Sequence, residues 1–182
     1  MLFRSGLVAL AEIGDKTQLL ALLLAAKYRK PAPIILGILA ATLLNHALAA
    51  WAGFAVSHWL SGPTFGLVVG LAFLAMAAWA LVPDKADAGV ADRSSYGVFL
   101  GTVVAFFLVE IGDKTQIATS LLAARFESVV SVTIGTTTGM MLANIPAVLF
   151  GGAVTRFVPL AYVRLGAAAV FAAIGVAILW TR

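Results

Sequence analysis

Glu12-Ile13-Gly14-Asp15-Lys16-Thr17-Gln18-Leu19 returns 98 positions later as Glu110-Ile111-Gly112-Asp113-Lys114-Thr115-Gln116-Ile117. Each copy interrupts a stretch that is otherwise apolar. A central Asp or Lys in a membrane-spanning helix costs about 2.5–3.5 kcal/mol, so six such groups facing lipid would cost on the order of 15–20 kcal/mol. The chain must therefore fold so that both copies face one another, water or an ion.

The rest of the composition makes the membrane the relevant solvent. Residues are 62% hydrophobic and 11% charged, against about 25% charged in soluble domains. Six apolar segments span residues 5–26, 33–57, 63–82, 96–124, 129–154 and 160–180. Each is long enough to cross a hydrocarbon core of about 30 Å as a helix. Cysteine is absent, which removes disulfides, thiolate metal sites and thiol chemistry. A signal-peptide reading of the start fails, because Glu12, Asp15 and Lys16 break the apolar region it would need.

The two motifs head two halves. Between residues 11–26 and 109–124, 11 of 16 positions are identical. The offset of 98 continues into the next segment, with Gly37 on Gly135, Ala49 on Ala147 and Gly53 on Gly151. The expected organisation is a single transmembrane domain over residues 1–182, with repeat one at 1–83, a polar linker at 84–95 and repeat two at 96–182. Three helices per half is an odd number, so the second half must enter the membrane from the opposite side. The predicted fold is thus an all-α membrane protein whose six transmembrane helices form two inverted-topology three-helix repeats, as in many secondary transporters.

Loop charges predict the orientation. One face would carry Lys27, Arg29, Lys30, Lys85, Arg93, Arg156 and Arg164; the face of the termini would carry Arg4, Arg125 and Arg182. The positive-inside rule then puts both termini outside and the linker inside.

On a continuous helix, Glu12, Asp15 and Lys16 would fall within an arc of about 100° and point the same way. Gln18 would extend the stripe and Thr17 would point away; Glu110, Asp113, Lys114, Gln116 and Thr115 repeat the pattern. The glycine before each aspartate admits a local helix break that frees carbonyl ligands, or ordinary close packing of small residues. Four carboxylates against Lys16 and Lys114 leave a formal −2. One divalent cation or two protons would neutralise it, which is the physical basis of cation/proton exchange.

Glu12, Asp15, Glu110 and Asp113, with Gln18 and Gln116, are the candidate ligands. Lys16, Lys114, Thr17, Thr115, Asn45, His46 and Asn144 are secondary candidates. His46 and Asn144 occupy equivalent positions of the two halves, where they could support the site or simply bond helix to helix. An all-oxygen ligand set suits Mn²⁺, Ca²⁺ and Mg²⁺ better than zinc or copper.

The doubled Glu-Ile-Gly-Asp-Lys-Thr resembles the E-x-G-D-K-[T/S] signature of the Gdt family of manganese/calcium–proton antiporters, over the whole chain. The resemblance implies export of Mn²⁺ or Ca²⁺ from the cytosol against protons, with the motif acids Glu12, Asp15, Glu110 and Asp113 binding the cation. It also implies a compact bacterial form, hence a multi-pass protein of the bacterial inner (plasma) membrane. No further cofactor and no nucleic-acid partner is expected, and the sequence leaves room for a homo-oligomer. Two alternatives stay open: a proton-coupled exporter of a small organic solute such as an amino acid, and a passive cation channel. Nothing resembles a nucleophile with its base or a hydrolase metal cluster, so an enzyme is not expected.

Overall fold

The computed structural model describes residues 6, 8, 9, 11–13, 15–59, 63–82, 97–150 and 160–181. Among them, helices form over Lys16–Tyr28 (α1), Pro31–Trp59 (α2), Pro63–Ala80 (α3), Gly97–Glu110 (α4), Lys114–Phe126 (α5), Val129–Phe150 (α6) and Leu160–Trp180 (α7). Residues 6, 8, 9, 11 and 12 are helical ahead of α1. The linker at 84–95, Gly14, and the orientation charges Arg4, Lys85, Arg93, Arg156 and Arg182 lie outside the described residues.

One expected element differs. Residues 96–124 read as a single helix, yet the chain turns at 111–113 and divides it into α4 and α5. Residues 13 and 15 likewise lie outside helical structure at the first motif. Apolar content alone cannot report such a break, because both half-helices are apolar.

α2 and α6 are long and apolar enough to cross a bilayer on their own, with mean hydropathies of 1.8 and 1.3. Their faces are sorted for lipid. α2 buries Thr42, Asn45 and His46 while exposing Leu36, Leu43, Leu44, Leu48 and Trp51. Polar inside and apolar outside is the arrangement for a chain solvated by hydrocarbon, and the molecule is an all-helical membrane protein.

Helices at matching positions of the two sequence halves pack on each other: α3 on α7, and α2 on α6. α2 also packs on α4 and α5, and α1 packs on α6. Small residues permit these approaches. A Cβ added at Gly53 of α2 would overlap the Ser120 carbonyl of α5. A Cβ at Gly175 of α7 would lie 2.9 Å from the Gly70 carbonyl of α3.

Two apolar clusters anchor the motifs. Leu20, Ala21 and Leu24 of α1 join Ile34, Ile38, Phe106 and Val148 in one. Ala118, Leu122 and Ala123 of α5 join Val69, Phe73, Met76 and Phe171 in the other. Each motif therefore sits at the start of a half-helix whose far side is fixed in a separate core.

Candidate cation site

The backbone of the motif is the same in both halves. Asp15 and Asp113 are extended, at φ −78°, ψ 167° and φ −74°, ψ 160°, and each is the N-cap of the half-helix that follows. Asp15 N donates to Glu12 O at 3.0 Å and Asp113 N to Glu110 O at 3.1 Å. Leu19 N and Ile117 N then donate to the carbonyls of Asp15 and Asp113 at 3.2 and 3.1 Å. Gly112 sits at φ +74°, a conformation that an L side chain rarely adopts. Asp is among the best N-cap residues, and the positive end of a helix stabilises negative charge. In the second motif Gly112 permits the turn; Asp15 Oδ1 accepts from Lys16 N at 2.7 Å, whereas Asp113 makes no side-chain cap bond.

The break reorganises the side chains that a continuous helix would align in a stripe. Thr17, expected to point away, donates its hydroxyl to Glu12 Oε2 at 2.5 Å. Thr115, from the other half, donates to Glu12 Oε1. Carboxylate oxygens of Glu12, Asp15 and Asp113 all lie within 4.8 Å of one another. These residues are 0%, 3% and 2% exposed. Lys16 Nζ reaches across the halves to Asp113 Oδ1 at 3.1 Å. Asp113 Oδ2 has no hydrogen-bond partner among the described residues.

The ring is close to the size of a hard cation. Three oxygens no more than 4.8 Å apart share a point no further than about 2.8 Å from each, near the roughly 2.3–2.6 Å of calcium–oxygen bonds. A small contraction, together with further oxygens or water, would complete a coordination shell.

The other candidates are distributed around this ring. Glu110 lies outside the three-carboxylate group: its Oε1 is 2.9 Å from His46 Nε2, and its Oε2 accepts from Asn45 Nδ2 at 3.1 Å. Gln18 Nε2 donates to the Ala143 carbonyl at 3.1 Å. Gln116 Oε1 instead accepts from Gly112 N at 2.7 Å, bracing the turn of its own half. Asn144 Nδ2 donates to Met140 O of its own helix at 3.1 Å. Lys114 Nζ donates to Val82 O at 2.7 Å and lies 6.0 Å from the centre of the Trp79 ring.

Arg164 is the residue that sequence reasoning placed elsewhere. It reads as a loop charge, but it belongs to α7 and, with Asp15 and Lys114, lines a cavity of about 20 Å³. That volume is about right for one water. The signal that could have found it is its position inside the last apolar segment.

Three buried carboxylates from two sequence halves stand close enough together to share one cation. The family model for the divalent cation/proton antiporter GDT1 matches residues 1–88 and 98–182. The chain belongs to the divalent cation/proton antiporter GDT1 family. A relative from Vibrio cholerae, described as "Putative manganese exporter", is 54% identical over 165 residues, covering 90% of this chain and 82% of the relative. No solved structure matches the chain. A GDT1 protein is a membrane transporter and not an enzyme. The resemblance read from the doubled motif thus holds at the level of the family.

Proposed function

We propose that this GDT1 protein exports Mn²⁺ from the cytosol across the bacterial inner membrane in exchange for protons. Ca²⁺ would be taken by the same oxygen chemistry. The observation that carries the reading is the buried ring of Glu12, Asp15 and Asp113, drawn from both motifs. Its all-carboxylate chemistry fits Mn²⁺ and Ca²⁺ rather than softer metals, and the relative's name favours manganese. Glu12, Asp15 and Asp113 with the Lys16 that contacts Asp113 carry a formal −2, which one divalent ion or two protons neutralise. Ion and protons then compete for one set of oxygens, and that competition is the coupling.

The architecture we propose around the ring is a single domain of two inverted-topology halves with six spans. The helical residues ahead of α1 together with α1 form one span, α4 with α5 forms another, and α2, α3, α6 and α7 supply the rest. The packing of α2 on α6 and of α3 on α7 supports it, as does the identical backbone of the two motif turns. Broken helices at the substrate site are a recurring device of such transporters. Both termini lie outside in this reading, on the loop-charge argument.

Reconstituted vesicles test the proposal. An imposed pH gradient should drive Mn²⁺ flux, and Asp15→Asn or Asp113→Asn should reduce that flux below detection at micromolar Mn²⁺. Flux of Mn²⁺ indifferent to the pH gradient at fixed voltage would overturn antiport. Proton-driven flux of an amino acid with no cation flux would overturn the substrate.

A further inference from the structure

The two halves share a backbone at the motif but not a set of partners. Glu12 stands in the ring, held by the hydroxyls of Thr17 and Thr115. Its equivalent Glu110 faces α2 instead: Oε2 accepts from Asn45 Nδ2 at 3.1 Å, and Oε1 lies 2.9 Å from His46 Nε2 without hydrogen-bond geometry. Asn45 Nδ2 also donates to Phe107 O at 3.2 Å, which ties the clamp to the helix that carries Glu110. Glu110, His46 and Asn45 are 0%, 0% and 1% exposed, so no solvent competes for these contacts.

No such clamp exists for Glu12 among the described residues. At the offset of 98, Asn45 and His46 fall on Ala143 and Asn144. Alanine has no donor to offer, and its carbonyl is taken by Gln18. Asn144 spends its amide on Met140 of its own helix. The difference between the halves is therefore written in α2.

Resting on the antiport reading, we propose that Asn45 and His46 are positioning residues that hold Glu110 out of the cation ring and so set affinity against turnover. The number of charged ligands and the rigidity of the site tune the affinity of an oxygen site for a hard cation over orders of magnitude. A transported ion must bind well enough to enter and weakly enough to leave. A fourth carboxylate admitted to the ring would hold the ion more tightly and release it more slowly.

The test is Mn²⁺ uptake into vesicles containing the full chain, with KM and Vmax measured separately under a fixed pH gradient. Asn45→Ala with His46→Asn gives α2 the residues that α6 carries. It should lower KM about fivefold or more and lower Vmax as well, by the ligand-number argument. The single substitutions should shift KM in the same direction, so the outcome can be read even where the double variant fails to fold. In a Glu110→Gln background the same substitutions should leave KM unmoved, because the carboxylate they release is gone. His46→Gln, which keeps a polar group of similar reach beside Glu110 Oε1, should shift KM less than His46→Asn. An unchanged or raised KM in vesicles whose wild-type counterpart transports Mn²⁺ overturns this inference alone, as does an equal shift without Glu110. Wild-type vesicles that move no divalent cation overturn the antiport reading and this inference with it.

Discussion

Lys16 and Asp113 form a contact between the two halves, and a charge-cancelling cycle on that pair tests whether it shapes the cation ring. Their Nζ–Oδ1 distance is 3.1 Å, with side-chain exposures of 23% and 2%. At an effective dielectric of about 20, the Coulomb energy at that distance is about 5 kcal/mol. Desolvation of Asp113 and solvent screening at the partly exposed Lys16 offset more than half of it, leaving about 2 kcal/mol. That is about 30-fold in an equilibrium constant. Asp113→Asn removes a ring carboxylate and with it the Lys16 contact, so the ring keeps the ammonium beside only two carboxylates. Lys16→Met makes the ring more negative, so KM should fall and release should slow. Combining them restores the formal charge of the site, and KM should improve about 30-fold over Asp113→Asn alone. The assay is Mn²⁺ uptake at a fixed imposed pH gradient for the four proteins of the cycle, each checked for monodisperse behaviour. A double variant no better than Asp113→Asn would refute the reasoning: the cross-half pair would then contribute nothing to the ring.

Two further outcomes are expected. Thr115→Val removes the hydroxyl that one half donates to the buried Glu12 of the other. A hydrogen bond to a charged group is worth about 1.5–3 kcal/mol, so Mn²⁺ KM in vesicles should rise roughly 10- to 100-fold, with Thr115→Ser close to wild type. Gly53→Ala places a Cβ on the Ser120 carbonyl, and overpacking of this kind costs about 1–3 kcal/mol. Thermal unfolding in detergent should move down by several degrees; an unchanged midpoint would show that α2 and α5 separate without cost.

The sequence carried the helices and the site unevenly. Segment 160–180 matches α7 end to end, with Pro159 before it in the sequence and Thr181-Arg182 after it. The helix breaks were only half legible. Glycine within an apolar run serves both a break and a close contact, and Gly53 and Gly112 of this chain do one each. The deciding feature at residues 112–113 is glycine followed by an N-capping aspartate, a pairing that hydropathy does not weigh. The charge count was legible and the partners were not. Glu12 and Glu110 stand in nearly identical octapeptide contexts, yet one meets threonines and the other meets His46 and Asn45. That difference comes from α2 and α6, dozens of residues away in the chain.

The placement of Thr115 and Asp113 against Glu12 and Asp15 also orders the protein's biogenesis. When the first half leaves the ribosome, Glu12 and Asp15 meet the bilayer without the Thr115 hydroxyl and the Asp113 carboxylate that later stand beside them. The 29-residue α2 is apolar enough to enter hydrocarbon on its own, whereas the first segment must bring Glu12, Asp15 and Lys16 with it. The early motif must wait at the interface or against the insertion machinery until residue 115 has been made. An isolated amino-terminal half would lack the Thr115 hydroxyl and the Asp113 carboxylate that stand beside Glu12.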